Sequence, residues 1–183
     1  DTNGNTDQDR AYAEGEGSLC LSDVAGAAAF LTAVNGSAVP DAEKTALIDA
    51  RQKLAPTCTS ASGGAAGVAA AATQVQSPLG KNFAAYLQGA QAFYDGDFDA
   101  ATAQFNTLIG VDQPWLSETA RYMLGRVEVN RQQVGLFDEY GSMTAGKFAE
   151  PKVTDAAEAA LNAYLQAYPQ GLYAASARGL LRR

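Results

Sequence analysis

The chain has 183 residues, 20 acidic side chains against 13 basic ones, no histidine and a formal net charge of −7. That balance argues against a phosphate backbone as partner, because nucleic-acid recognition is built on clustered Lys and Arg. Without imidazole, Ser–His and Cys–His nucleophile pairs and most zinc sites are excluded, and no run of 18 apolar residues exists to span a bilayer.

A chain of this length is expected to form one domain and to bury about 70% of its unfolded surface. Residues 1–17 read as an acidic, solvated tail, with Asp1, Asp7, Asp9, Glu14 and Glu16 against Arg10. There is no Met at the start, and the far end, Leu180-Leu181-Arg182-Arg183, reads as mid-helix. The expectation is a mature or trimmed chain whose natural form continues.

Residues 18–60 read as a helical hairpin. Cys20, Val24, Ala27, Leu31 and Val34 form one apolar stripe at helical spacing. Asn35-Gly36-Ser37 ends that helix in a turn, although it also matches a glycosylation acceptor. Pro40-Asp41-Ala42-Glu43 starts the next helix, with Pro in the first turn and acids at the positive end of the dipole. Leu47, Ala50 and Leu54 continue its stripe towards Cys58. Positions 20 and 58 are centred on 39, beside the Pro40 turn, so an antiparallel hairpin brings both cysteines together at its open end. A Cys20–Cys58 disulfide is therefore predicted, worth roughly 4 kcal/mol on the chain-entropy account. It implies an oxidising compartment, a bacterial periplasm or cell surface; the other reading is two buried free thiols.

Residues 61–80 are rich in Ala, Gly and Ser and read as a linker or thin helix, with an Ala-rich helical stretch over 65–76. Residues 81–183 carry the strongest pattern. Phe83, Leu87, Ala90 and Phe93/Tyr94 recur at steps of three and four; Asp95-Gly96-Asp97 breaks the helix and caps the next; Phe98, Ala101, Ala103, Phe105 and Leu108 form the following stripe. Pro114 and Trp115 open another helix, with Trp115 as a staple at its start, and Leu124-Gly125 restarts the pattern. Its matching partner helix comes late, as Ala157, Leu161, Tyr164 and Pro169, leaving an insertion at about 131–152.

This spacing resembles a tetratricopeptide repeat (TPR), a helix–turn–helix unit of about 34 residues. Gly89, Gly96-Asp97-Phe98, Ala101 and Phe105 stand at its signature positions, while Ala85 and Gln88 replace the usual aromatic and Leu. The segment 163–173 is similar to divergent repeats of bacterial envelope assembly proteins. The resemblance implies an all-α fold, a short right-handed solenoid of stacked hairpins following the disulfide-linked one. It also implies a concave groove lined by Tyr86, Tyr94, Tyr122, Arg126 and Asn130, with Arg126 for a carboxylate, Asn130 for backbone amides and the tyrosines for apolar side chains. Beside them Phe83 and Phe93 read as core, and Tyr122, Arg126 and Asn130 also read as an internal polar network pinning the insertion. Phe137, Tyr140 and Phe148 of the insertion either fold over the groove or dock on a partner. Leu180 and Leu181 are expected to be exposed if no further repeat covers them, which would allow a homodimer through the C-terminal helix.

No phosphate loop, dinucleotide motif or calcium loop is found, and Asp95-Gly96-Asp97 with Asp99 reads as turn chemistry. The sequence thus points to a non-catalytic protein- or peptide-binding scaffold with no cofactor and no metal. A second reading is the structural N-terminal part of a longer helical-repeat protein, and a third a cell-wall-associated enzyme, or its helper, working through Asp and Glu alone.

Overall fold

The computed structural model describes residues 16–54, 64–140 and 154–182, without the side chains of 16–25, 64 and 135–140. Among the described residues there are eight helices and no strand: α1 Glu16–Asn35, α2 Asp41–Lys53, α3 Gly64–Gln74, α4 Pro78–Asp95, α5 Phe98–Asn106, α6 Pro114–Tyr140, α7 Asp155–Ala167 and α8 Ala174–Leu181. The fold is all-α. Instead of the single expected domain, the chain divides into two compact units, Asp1–Tyr94 and Asp95–Arg183.

In the first unit, α1 stops at the Asn35-Gly36-Ser37 turn, where Gly36 N donates to Thr32 O at 3.0 Å and Ser37 Oγ to Val34 O at 2.6 Å. Gly26 lies against Arg51, and Lys44 Nζ donates to Asn35 O at 3.0 Å, so α1 and α2 run antiparallel. Asp41 and Glu43 stand in the first turn of α2 and Arg51 and Lys53 in the last, which complements the helix dipole at both ends. The Ala-rich stretch is helical, and Gly67 brings α3 close to Ala50 and Lys53. Ser77 caps α4 by accepting from Gly80 N at 3.0 Å, with Pro78 in the first position, where a missing N–H costs nothing. The Ser77 hydroxyl donates to Glu43 Oε1 of α2 at 2.7 Å, and a Cβ on Gly80 would collide with that carboxylate. The core of this unit gathers Phe30, Val34, Leu47, Leu54, Phe83 and Leu87.

In the second unit, Gly96 takes φ +79°, the left-handed conformation that glycine adopts without a steric cost, and Asp97 caps α5 by accepting from Ala100 N at 3.2 Å. Ala101, Phe105 and Leu108 are buried as the stripe requires, whereas Ala103 falls on the opposite face and is exposed. Gln113 Oε1 accepts from Leu116 N at 2.7 Å at the start of α6. Each helix packs on the next, α5 on α6, α6 on α7 and α7 on α8. Contacts of Gln132 with Thr154, Gly125 with Leu161 and Glu118 with Tyr164 show that α6 and α7 are antiparallel.

Residues 131–140, which the repeat spacing assigns to the insertion, continue α6 as helix to Tyr140. Arg131, Gln132, Gln133, Leu136 and Glu139 are good helix formers, and Gly135 is the poorest former of the stretch. Residues 141–153, Cys58 and the tail to residue 15 lie outside the described residues, and so therefore does the predicted disulfide.

Candidate functional site

The best-defined polar cluster of the second unit sits where the first turns of α6 meet the α7–α8 turn. Glu118, on the second turn of α6, accepts from Tyr164 Oη of α7 at 2.7 Å and from the backbone N of Leu172 at 2.7 Å. Tyr164 in turn accepts from Tyr173 N at 2.9 Å. The next α6 residue, Thr119, shares a 2.8 Å hydrogen bond with Tyr173 Oη. One carboxylate thus satisfies a buried hydroxyl and an amide of the turn, and hydrogen bonds to an ionised acceptor are the strong kind. Gly171 makes this approach possible: a Cβ there would strike Glu118, the Tyr164 hydroxyl and Tyr168.

Four tyrosines close over the cluster. Tyr122 stacks on Tyr173 with centroids 4.5 Å apart and planes at 5°, and meets Tyr164 edge-on at 5.6 Å. Tyr164 lies 5.4 Å from Tyr168. Tyr164 is fully buried, and burial first, then its bond to the Glu118 carboxylate, raises the pKa of its hydroxyl well above the ordinary value. Leu161 and Ala177 complete the core here.

The predicted groove residues divide between the units. Tyr86 belongs to the first and is only 7% exposed, its ring stacked 5.8 Å from Phe30. Tyr94 is half-buried, with its ring at 5.7 Å from Phe93. Tyr122 of the second unit is 3% exposed within the tyrosine cluster. Arg126 is 9% exposed, its Nη1 donating to Tyr122 Oη at 3.5 Å and its guanidinium carbon 6.0 Å from that ring centroid. Asn130 follows one turn on, half-buried. Tyr86, Tyr122 and Arg126 thus spend their surface on the chain's own packing. Of the insertion residues, Phe137 and Tyr140 lie on the last turns of α6 without described side chains, and Phe148 lies outside the described residues. Leu180 and Leu181, expected to be exposed, are half-buried against the tyrosine cluster, because the α7–α8 turn folds α8 back onto it.

Glu118, Gly171 and Tyr173 were not legible as a site. A Glu near a helix start is ordinary dipole complementation, and Pro169-Gln170-Gly171 announces only a turn. Among the described residues, no group of three Asp, Glu, Cys or His side chains could hold a metal ion, and no helix is long and apolar enough to cross a membrane. Comparison with known families, with curated proteins and with solved structures gives no match.

Proposed function

We infer that the chain is a non-catalytic interaction scaffold of the bacterial envelope, a TPR-like helical stack that binds a protein or peptide partner. The observation that carries this reading is the serial packing of α5, α6, α7 and α8, each on its neighbour. The burial of Tyr86 and Tyr122 shifts the weight from the groove to the 131–152 segment, where Phe137, Tyr140 and Phe148 supply the aromatic anchors that binding surfaces favour. Export rests on the hairpin register. The pairs Gly26–Arg51 and Asn35–Lys44 are each centred within a residue of position 39, as are positions 20 and 58. The homodimer contact stays with α8, through the half-buried Leu180 and Leu181.

A photoreactive residue at the exposed position Val134 tests the reading in cells that export the chain. One discrete cross-linked product is expected, lost on Phe137→Ala with Phe148→Ala and absent when the probe sits at the exposed Ala175. Indistinguishable labelling at the two positions would favour the second reading, a structural part of a longer helical-repeat protein. The core placement of Tyr86 and Tyr122 is the observation that supports that alternative.

A further inference from the structure

The turn after α1 carries an Asn–Gly pair that the proposed function does not use. Asn35 is the last residue of α1, and both it and Gly36 are exposed. In an Asn–Gly pair no Cβ on the second residue shields its backbone nitrogen, which can approach the preceding side-chain amide. In the folded turn that nitrogen is held. Its N–H donates to Thr32 O at 3.0 Å, Ser37 clasps Val34 O through both its backbone N at 3.1 Å and its Oγ at 2.6 Å, and Lys44 Nζ grips Asn35 O at 3.0 Å. Helical backbone at Asn35 also directs the following nitrogen away from the side-chain carbon it would attack.

We propose that Asn35 is a site of spontaneous deamidation, gated by opening of the last turn of α1. The Gly36 nitrogen gives up its proton to solvent and attacks Asn35 Cγ. The new C–N bond closes a five-membered succinimide, and the Cγ–Nδ2 bond breaks as ammonia leaves. Water then opens either carbonyl of the ring. One product is aspartate; the other is isoaspartate, whose main chain runs through the former side chain. No electrons are transferred, and water is the sole co-reactant. The aspartate product sets a carboxylate at the negative end of the α1 dipole. The isoaspartate product lengthens the main chain between Val34 and Val39, both buried. The isoaspartate outcome loosens the α1–α2 connection, so the turn acts as a clock on the first unit.

The test is incubation of the whole chain at mildly alkaline pH, followed by digestion and mass measurement of the peptide holding Asn35. Deamidation gives a one-dalton gain, and fragmentation tells isoaspartate from aspartate. A synthetic peptide of residues 27–40 is the unfolded reference. The folded chain is expected to convert roughly tenfold more slowly than the peptide. Ser37→Ala, which removes the Val34 clasp, is expected to accelerate the chain about fivefold and to leave the peptide unchanged. No product at Asn35 in the folded chain, over a period that converts the peptide many times over, overturns the site. Equal rates in chain and peptide, or no acceleration by Ser37→Ala, overturn the gate.

Discussion

Gly125→Ala is the sharpest probe of how closely α6 and α7 approach. Replacing a glycine inside a helix by alanine ordinarily stabilises by about 0.8–1 kcal/mol, through the lower backbone entropy of the unfolded chain. Here the new Cβ would lie 2.5 Å from Leu161 Cδ2 and 3.0 Å from its Cγ, with the Leu161 backbone nitrogen at 3.6 Å. Leu161 cannot swing out to solvent: it is fully buried and belongs to the core cluster of Tyr122, Tyr164 and Ala177. Relief therefore takes an off-rotamer Leu161 or a wider helix spacing, an overpacking cost of about 1–3 kcal/mol. The cost exceeds the gain, and a net loss of about 1 kcal/mol is expected. For a chain of this length that lowers Tm by about 2–4 °C. Gly179→Ala is the internal comparison, since Gly179 also lies within a helix but has nothing within 4 Å of its Cβ position. It should stabilise by about 0.5–1 kcal/mol. Thermal and urea unfolding of both variants should move in opposite directions; if both are stabilised equally, the close approach at Gly125 does not exist.

Three further outcomes follow from the same structure. Glu118→Ala leaves the buried Tyr164 hydroxyl without its carboxylate and should cost about 2–3 kcal/mol in urea unfolding, while Glu118→Gln, which keeps an acceptor, should cost less than half of that. The raised pKa of Tyr164 means that the folded chain keeps a proton the unfolded chain releases. Its contribution is complete below about pH 10 and drains above it by up to about 1.4 kcal/mol per pH unit; an alkaline stability profile that Tyr164→Phe fails to flatten would contradict this. Thiol counting on denatured, unreduced protein should find no free thiol and a mass two hydrogens below that of the reduced chain. Two free thiols would remove the basis for export.

What the sequence made legible was local. Pro40-Asp41, Asp95-Gly96-Asp97 and Pro114 mark helix starts and stops because their backbone preferences act within one turn, and each stands where it was expected. The apolar stripe of α4 was legible for the same reason: Phe83, Leu87, Ala90 and Phe93 are all buried. Whether a residue at a groove position faces a partner or the chain's own core is not a local property. A tyrosine at a groove position and a tyrosine in a core have the same spacing, and only the partner, Phe30 for Tyr86 or Tyr173 for Tyr122, tells them apart. Glu118 was out of reach because its partners lie 46 and 54 residues away. The helical course of residues 131–140 was missed because the repeat template ends there, although the residues themselves favour helix.

The two carboxylates that reach across to a distant turn also bear on how the chain tolerates change in length. Glu43 holds Ser77 across 34 residues and Glu118 holds Leu172 across 54, each beside a glycine that lets the acid come close. The two spans enclose one helix each, α3 and α7, and differ by twenty residues, about the size of the insertion. On loop-closure grounds the longer span costs only about 0.4 kcal/mol more to close, less than one charged hydrogen bond returns. A fastening of this kind fixes where the next helix begins without fixing how much chain lies between, so segments can be added to or trimmed from the α6–α7 connection while α8 keeps its seat. Variation in a lineage of such chains would then collect between the fastened points.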